Sequence, residues 1–118
     1  MNDKNILEKI LHKIFEKEFK EEYSIIKLNP NFPDLKIDSD LDLLVKNKIN
    51  FIRELDLKIR NLKIIKIKLK HLNDFHSHYD ILKKTNSSLL IRIDIYSILP
   101  NFEVVKVKNI LFENILNN

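Results

Sequence analysis

Two aspartates separated by one residue stand at the head of a short apolar stretch, and their spacing suits metal chemistry. In an extended strand, residues i and i+2 point to the same side, so Asp40 and Asp42 would present two carboxylates together. Two such charges about 4 Å apart repel by about 4 kcal/mol at an effective dielectric constant of roughly 20. A divalent cation is the simplest group that offsets this repulsion. The pair therefore predicts a metal site built from carboxylates.

A third carboxylate lies in a second strand-like stretch, residues 89–96. Asp94 is surrounded there by apolar residues. If this strand lay beside the first, three carboxylates could bind Mg²⁺ or Mn²⁺, which prefer oxygen ligands. The alternatives are a solvated turn at Asp40 and Asp42, and an ion pair between Asp94 and Arg92 or a nearby lysine.

Potential ligands also alternate along a later segment. Asp74, His76, His78 and Asp80 share one face if the chain is extended. Imidazole and carboxylate groups at this spacing could bind zinc or exchange protons. Since a single strand cannot complete a tetrahedral site, the alternatives are a polar strand face and a ligand-contacting role beside the aspartates.

A basic stripe is predicted on the strand at residues 63–69. Lys66, Lys68 and Lys70 would line one side of it and could meet phosphate or an RNA backbone. The alternative is a solvated face in a lysine-rich chain, and no aromatic residues interleave with these lysines to stack on single-stranded bases. The net charge of +4 suits an anionic ligand such as a nucleotide and is too small to require nucleic acid.

Composition restricts the class of protein. With 118 residues, 44% of them hydrophobic and 32% charged, the chain is expected to form one globular domain. No apolar run approaches the roughly 20 residues of a membrane span, and the charged N-terminus is unlike a signal peptide. The absence of cysteine excludes disulfides and thiolate sites and fits a reducing cytoplasm. The absence of glycine excludes a Walker-type loop and a GxGxxG turn, so phosphate would need helix N-termini, side chains or other amides.

Hydrophobic periodicity and turn residues predict the elements that position these side chains. An apolar stripe along the first helix predicts a core face or a subunit contact, and hence a possible route to a homo-oligomer. The predicted order is a helix at 3–23, strands at 24–28 and 36–45 separated by a loop at 29–34, a helix at 48–62, strands at 63–69, 74–82 and 89–99, a turn at 85–88, a short strand at 104–107 and a helix at 109–116.

This order of elements resembles the nucleotidyltransferase superfamily, which has the polymerase-β-like fold. Residues 23–27, the Phe32-Pro33 step and residues 39–45 look like a bacterial branch found in surface-polysaccharide and related loci. The resemblance covers roughly residues 20–100. It implies a single domain over residues 1–118. The expected fold class is α+β (α/β), with a mixed β-sheet flanked by helices. Because a further helical domain often follows in that branch, the chain is expected to be a stand-alone minimal form or the N-terminal part of a longer protein.

The resemblance also implies a reaction. Asp40, Asp42 and Asp94 would bind Mg²⁺ or Mn²⁺, with Asp94 as third ligand or as base, and a nucleoside monophosphate would pass from an NTP to an unidentified acceptor hydroxyl. Ser39 and Lys27 are the expected phosphate contacts. The family's usual Gly-Ser pair is missing, so a second hypothesis is an interaction module of the same fold with idle aspartates.

A third hypothesis is a metal-dependent nuclease. Pro33-Asp34 followed by Asp56-Leu57-Lys58 resembles the PD and D-x-K pattern of such enzymes. That pattern needs the D-x-K segment on a strand, whereas residues 49–62 favour a helix.

Overall fold

The computed structural model describes residues 2–27 and 35–98, which form an α+β fold with a five-stranded mixed sheet and two helices. The predicted mixed sheet with helices is thus confirmed. The loop predicted at 29–34 and the elements predicted at 104–107 and 109–116 lie outside the described residues. The elements are α1 (Asp3–Ile14), β1 (Tyr23–Lys27), β2 (Ser39–Val45), α2 (Lys48–Ile59), β3 (Ile65–Asn73), β4 (His76–Lys83) and β5 (Leu89–Tyr96).

The sheet order places the two aspartate-bearing strands side by side. The strands are arranged β1-β2-β5-β4-β3, with β2 and β5 parallel and the other neighbours antiparallel. A parallel pair needs a long crossover connection, and here α2 and the β3–β4 hairpin supply it. The adjacency expected for the strands of Asp42 and Asp94 is therefore present in the sheet.

Helix α1 begins at an asparagine cap and buries its apolar stripe in the core of the domain. The Asn2 side chain accepts a hydrogen bond from the Asn5 backbone N–H at 2.8 Å, which satisfies one of the free N–H groups of the first turn. The stripe consists of Ile6, Leu7, Ile10, Leu11 and Ile14, all buried against the sheet and α2. Within the described chain, then, this stripe serves as core.

The predicted extension of the first helix to residue 23 is wrong, since α1 ends at Ile14. Two backbone N–H groups of the segment that follows donate to a distant side chain. The Glu54 carboxylate on α2 accepts from the backbone N–H groups of Lys20 and Glu21, at 2.5 and 2.6 Å. A local periodicity cannot reveal a hydrogen-bond partner more than thirty residues away.

Helix α2 is capped in the same way, because Asn47 accepts from the Asn50 N–H at 2.9 Å. Its buried apolar positions follow helical spacing, and Leu57 between them is 56% exposed. The segment Asp56-Leu57-Lys58 is therefore helical. It does not provide the strand that the nuclease pattern needs, and Pro33-Asp34 lies outside the described residues.

The β3–β4 hairpin runs further than predicted. Strand β3 continues to Asn73, whose side chain accepts from the Phe75 N–H at 2.8 Å and so closes a tight turn. Asp74 lies in this turn, and β4 begins at His76. The position of the turn removes Asp74 from the alternating set predicted along residues 74–80.

One face of the sheet packs on the helices, and the other carries most of the polar side chains of the central strands. Residues such as Leu43, Tyr79 and Ile93 are buried in the core shared with both helices, whereas their strand neighbours point to the opposite side. Among the described residues no helix is long and apolar enough to cross a membrane.

Candidate functional site

The face of the sheet opposite the helices collects polar side chains from four strands. Residues paired in register point to the same side of a sheet, so the pairings define two rows across β2, β5, β4 and β3. We call the surface that these eight residues mark the polar face: Asp42, Asp94, His78 and Lys70 lie in one row, and Asp40, Arg92, Asp80 and Lys68 in the next.

The polar face brings the predicted carboxylates onto one surface. Asp42 is the register partner of Asp94, and Cα atoms on neighbouring strands are about 4.8 Å apart. Asp40 lies two residues earlier on β2 and faces the same way. Exposure increases along the series, from buried Asp94 through half-buried Asp42 to exposed Asp40. The three carboxylates thus form a gradient from the sheet interior to solvent.

Arg92 pairs with Asp80 on the neighbouring strand, and not with Asp94 as one sequence-based alternative predicts. Its Nε and Nη2 donate to the two carboxylate oxygens of Asp80 at 2.8 and 3.0 Å. This hydrogen bonding is the main cause that raises the pKa of Arg92, and the charges of Asp40 and Asp94 add to it. The guanidinium therefore lies in the field of several carboxylates and is a fixed cation on the polar face.

Asp94 is the acceptor for two imidazoles. Nε2 of His76 and Nε2 of His78 lie 2.8 and 2.9 Å from its Oδ1. The His76 ring stacks on Tyr96 with centroids 4.1 Å apart, and it meets the His78 ring edge-on at 5.1 Å. Strand β4 supplies two potential ligands, and the third, Asp94, comes from β5. Of the four residues predicted along 74–80, only the two histidines join this cluster, because Asp74 is in the turn and Asp80 is held by Arg92.

The histidine cluster is the group that best meets the geometry of a metal site in the part of the chain that the structure describes. One ligand atom from each of His76, His78 and Asp94 lies within 4.8 Å of the others. Asp40 and Asp42 do not belong to this group. The two histidines are predicted as candidate ligands by their alternation, whereas the register that brings Asp94 opposite them is not visible in the sequence.

Comparison with protein-family models, with curated proteins and with solved structures finds no match.

Tyr96 is a further member of this surface that sequence analysis missed. Burial raises the pKa of its phenol, and the charges of Asp94, Asp42 and Asp40 raise it further. A phenol that responds to all three carboxylates lies close to them and stays protonated at neutral pH. The available signal was its position two residues after Asp94, which puts both side chains on one strand face.

The two predicted phosphate contacts are placed differently. Ser39 alternates with Asp40 and is the register partner of Ile91, so it lies on the face of Leu41 rather than with the aspartates. The backbone of Lys27 pairs with Asp42 at the edge of the polar face. The Lys27 side chain lies outside what the structure describes.

A cleft adjoins the carboxyl ends of β2 and β5. It has a volume of about 650 Å³ and is lined by residues that include Lys46, Lys48 and Ser97. Nζ of the buried Lys48 donates to the Asn73 carbonyl at 3.1 Å and lies 3.4 Å from Nδ1 of His71. Burial lowers the pKa of Lys48, and the charge of Asp74 opposes that effect. The second lysine of the cleft, Lys46, pairs with Glu22 at 2.9 Å.

Replacing Arg92 by alanine is expected to destabilise the fold by about 1–3 kcal/mol, because the largely buried Asp80 carboxylate loses its partner. The expected loss of stability is smaller than for a fully buried ion pair, because the Arg92 side chain is 37% exposed. Urea denaturation checks this, with Arg53→Ala on the exposed side of α2 as the control. Equal midpoints for the two variants would show that the Arg92–Asp80 pair contributes nothing.

Proposed function

We propose that this protein transfers a nucleoside monophosphate from an NTP to an acceptor hydroxyl, using Mg²⁺ or Mn²⁺ held by carboxylates of the polar face. The observation that carries the proposal is the pairing of Asp42 with Asp94 on parallel neighbouring strands, with Asp40 on the same side. This is the arrangement implied by the resemblance to nucleotidyltransferases, and it supports their chemistry.

The carboxylate oxygens of these residues are the ligand type that a hard divalent cation prefers. Asp42 and Asp94 offer oxygen ligands from two rigid strands, and Asp40 adds one at the exposed end. A bound ion of this kind would polarise the α-phosphate and offset negative charge as it develops there. The protein's own residues orient the triphosphate, hold the carboxylates in place and receive the proton of the attacking hydroxyl.

The reaction requires one bond to form and one to break. The acceptor oxygen bonds to the α-phosphorus while the bond from that phosphorus to the leaving pyrophosphate breaks. The hydroxyl proton passes to a carboxylate: Asp94 is the base that the resemblance implies, and exposed Asp40 is the member of the set that an acceptor reaches first.

Cations around the polar face would replace the missing glycine-rich cradle. Arg92 is fixed beside the carboxylates, and Lys68 and Lys70 continue the two rows onto β3. Lys27 remains a proposed phosphate contact because its backbone lies at the edge of the face. Ser39 is left out, since it points to the opposite side of the sheet.

A second candidate is an interaction module of the same fold. It is favoured by the two imidazoles on Asp94, which supply this carboxylate with hydrogen-bond partners from the protein itself. In that case the carboxylates would help to hold β4 and β5 together, and no triphosphate would bind.

Titration calorimetry with each of the four common NTPs and Mg²⁺ separates the two candidates. The proposal expects one NTP to bind, and Asp42→Ala to weaken that binding at least about tenfold, the smallest effect common for perturbed metal sites. Asp38→Asn is the matched control, because Asp38 is exposed just before β2 and asparagine tolerates its positive φ of 61°. If the folded wild type binds none of the four, the proposal fails and the interaction module is favoured.

A further inference from the structure

We propose that His76, His78 and Asp94 form a binding site for a transition-metal dication such as Zn²⁺. The site would use Nε2 of both imidazoles and Oδ1 of the carboxylate. It differs from the carboxylate site of the proposed reaction in its ligand type, because two of its three protein ligands are nitrogen.

The distances between the three ligand atoms are already close to those around a bound Zn²⁺, so binding needs little movement of the side chains. With bonds of about 2.0–2.1 Å, neighbouring ligand atoms around Zn²⁺ are about 3–3.4 Å apart. The two Nε2–Oδ1 separations are 2.8 and 2.9 Å, and all three atoms lie within 4.8 Å of one another. Small rotations of the side chains, together with a move of each ring proton from Nε2 to Nδ1 or its release to water, therefore admit an ion between them.

The ligands are held by regular structure. His76 and His78 alternate on β4, and Asp94 faces His78 from β5 in register. The stacking of His76 on Tyr96 and its edge contact with His78 restrict both rings. Ligands on paired strands lose little conformational entropy when an ion binds, and this favours affinity.

The surroundings suit an ion that keeps a solvent ligand. The side chains of His76 and His78 are 18% and 23% exposed and that of Asp94 is 10% exposed. An ion can enter from the polar face, and water can complete its coordination, as in zinc sites with three protein ligands. Imidazole favours Zn²⁺, Co²⁺ and Ni²⁺ over Mg²⁺, so the histidines select a different class of metal from Asp40 and Asp42.

This inference does not rest on the proposed nucleotidyl transfer. Binding of Zn²⁺ by the three residues needs neither NTP nor the carboxylates of Asp40 and Asp42. The two sites share Asp94, whose imidazole contacts both fall on Oδ1. A carboxylate has a second oxygen, so Asp94 can serve both sites as a bridging ligand.

Zn²⁺ affinity of the whole purified chain, without any nucleotide, tests the inference. Competition with a chromophoric chelator is expected to give one Zn²⁺ per chain, and Co²⁺ to give the visible absorption of a nitrogen-containing site. His76→Ala and His78→Ala should each lower Zn²⁺ affinity at least about 100-fold, since even indirect partners of a metal ligand cost about 10–100-fold. His12→Ala is the control, because His12 is exposed on α1 away from the sheet face. Asp42→Ala should retain Zn²⁺ binding, which separates this site from the proposed catalytic one.

Equal Zn²⁺ affinity in wild type, His76→Ala and His78→Ala would overturn the inference and leave two imidazole–carboxylate hydrogen bonds as the role of the cluster. X-ray absorption at the zinc edge on the wild-type chain decides the matter if a variant fails to fold. Two imidazole ligands on the bound zinc support the site, and any other number of imidazoles contradicts it.

Discussion

An Asp94→Asn variant is expected to lose both the Zn²⁺ affinity of the histidine cluster and the proposed metal-dependent transfer. Asp94 is the one residue common to the two sites, because it faces Asp42 on β2 and accepts both imidazoles from β4. Asparagine keeps the size of the side chain but removes its negative charge, so the side chain attracts either cation more weakly. We expect Zn²⁺ affinity to fall at least about 100-fold and transfer to fall about 10²–10³-fold, as for loss of a transition-state contact.

Chelator competition measures the first effect, and release of pyrophosphate from the NTP identified by calorimetry measures the second. Asp38→Asn makes the same chemical change on an exposed residue outside the polar face and should leave both quantities unaltered. Retention of Zn²⁺ binding with loss of transfer would place Asp94 in the carboxylate site alone. The opposite result would assign Asp94 to the histidine cluster and leave the transfer to Asp40 and Asp42.

The strands and their faces were largely predictable because alternation carries that information. The paired aspartates on β2 and the lone aspartate on β5 stand out as polar residues in apolar runs, and a period of two places them on a face. Their adjacency was expected from the resemblance. Periodicity alone does not determine strand order, since that depends on how the α2 and β3–β4 crossover packs.

The histidine cluster shows what strand alternation leaves open. Alternation along residues 74–80 placed four polar residues on one face but could not assign their partners. Those partners follow from the register of β4 against β5, where a shift by two residues would exchange Asp94 for Arg92 opposite His78. The observed register pairs Asp80 with Arg92 and leaves both imidazoles to Asp94.

The end of α1 was missed for a similar reason. Phe19 and Tyr23 continue a helical spacing, yet both pack on Phe51 from a non-helical connection and from β1. The backbone of that connection is bound by Glu54 from α2. Tertiary hydrogen bonds and ring packing therefore outweighed the local helical pattern.

The same aromatic cluster leads to the largest expected loss of stability, in a Phe51→Ala variant. Phe51 is fully buried on α2, with its ring 5.1 Å from that of Phe19 and 5.8 Å from that of Tyr23. Truncation removes these contacts and leaves a cavity, which costs about 3–5 kcal/mol for a buried phenylalanine. A domain of this size has a free energy of unfolding of about 5–15 kcal/mol. Urea denaturation followed by circular dichroism measures the change.

Leu57→Ala is the matched control, because Leu57 is on the same helix and 56% exposed, and its truncation should cost only about 0.5 kcal/mol.

The two variants also test whether core packing on one face of the sheet is independent of metal binding on the other. Phe51 packs on the apolar side, whereas the histidine cluster lies on the polar face, so folded Phe51→Ala protein should keep wild-type Zn²⁺ affinity. A midpoint equal to that of Leu57→Ala would contradict the role of the aromatic cluster. Loss of Zn²⁺ affinity in the folded variant would show that packing beneath the sheet determines the metal geometry above it.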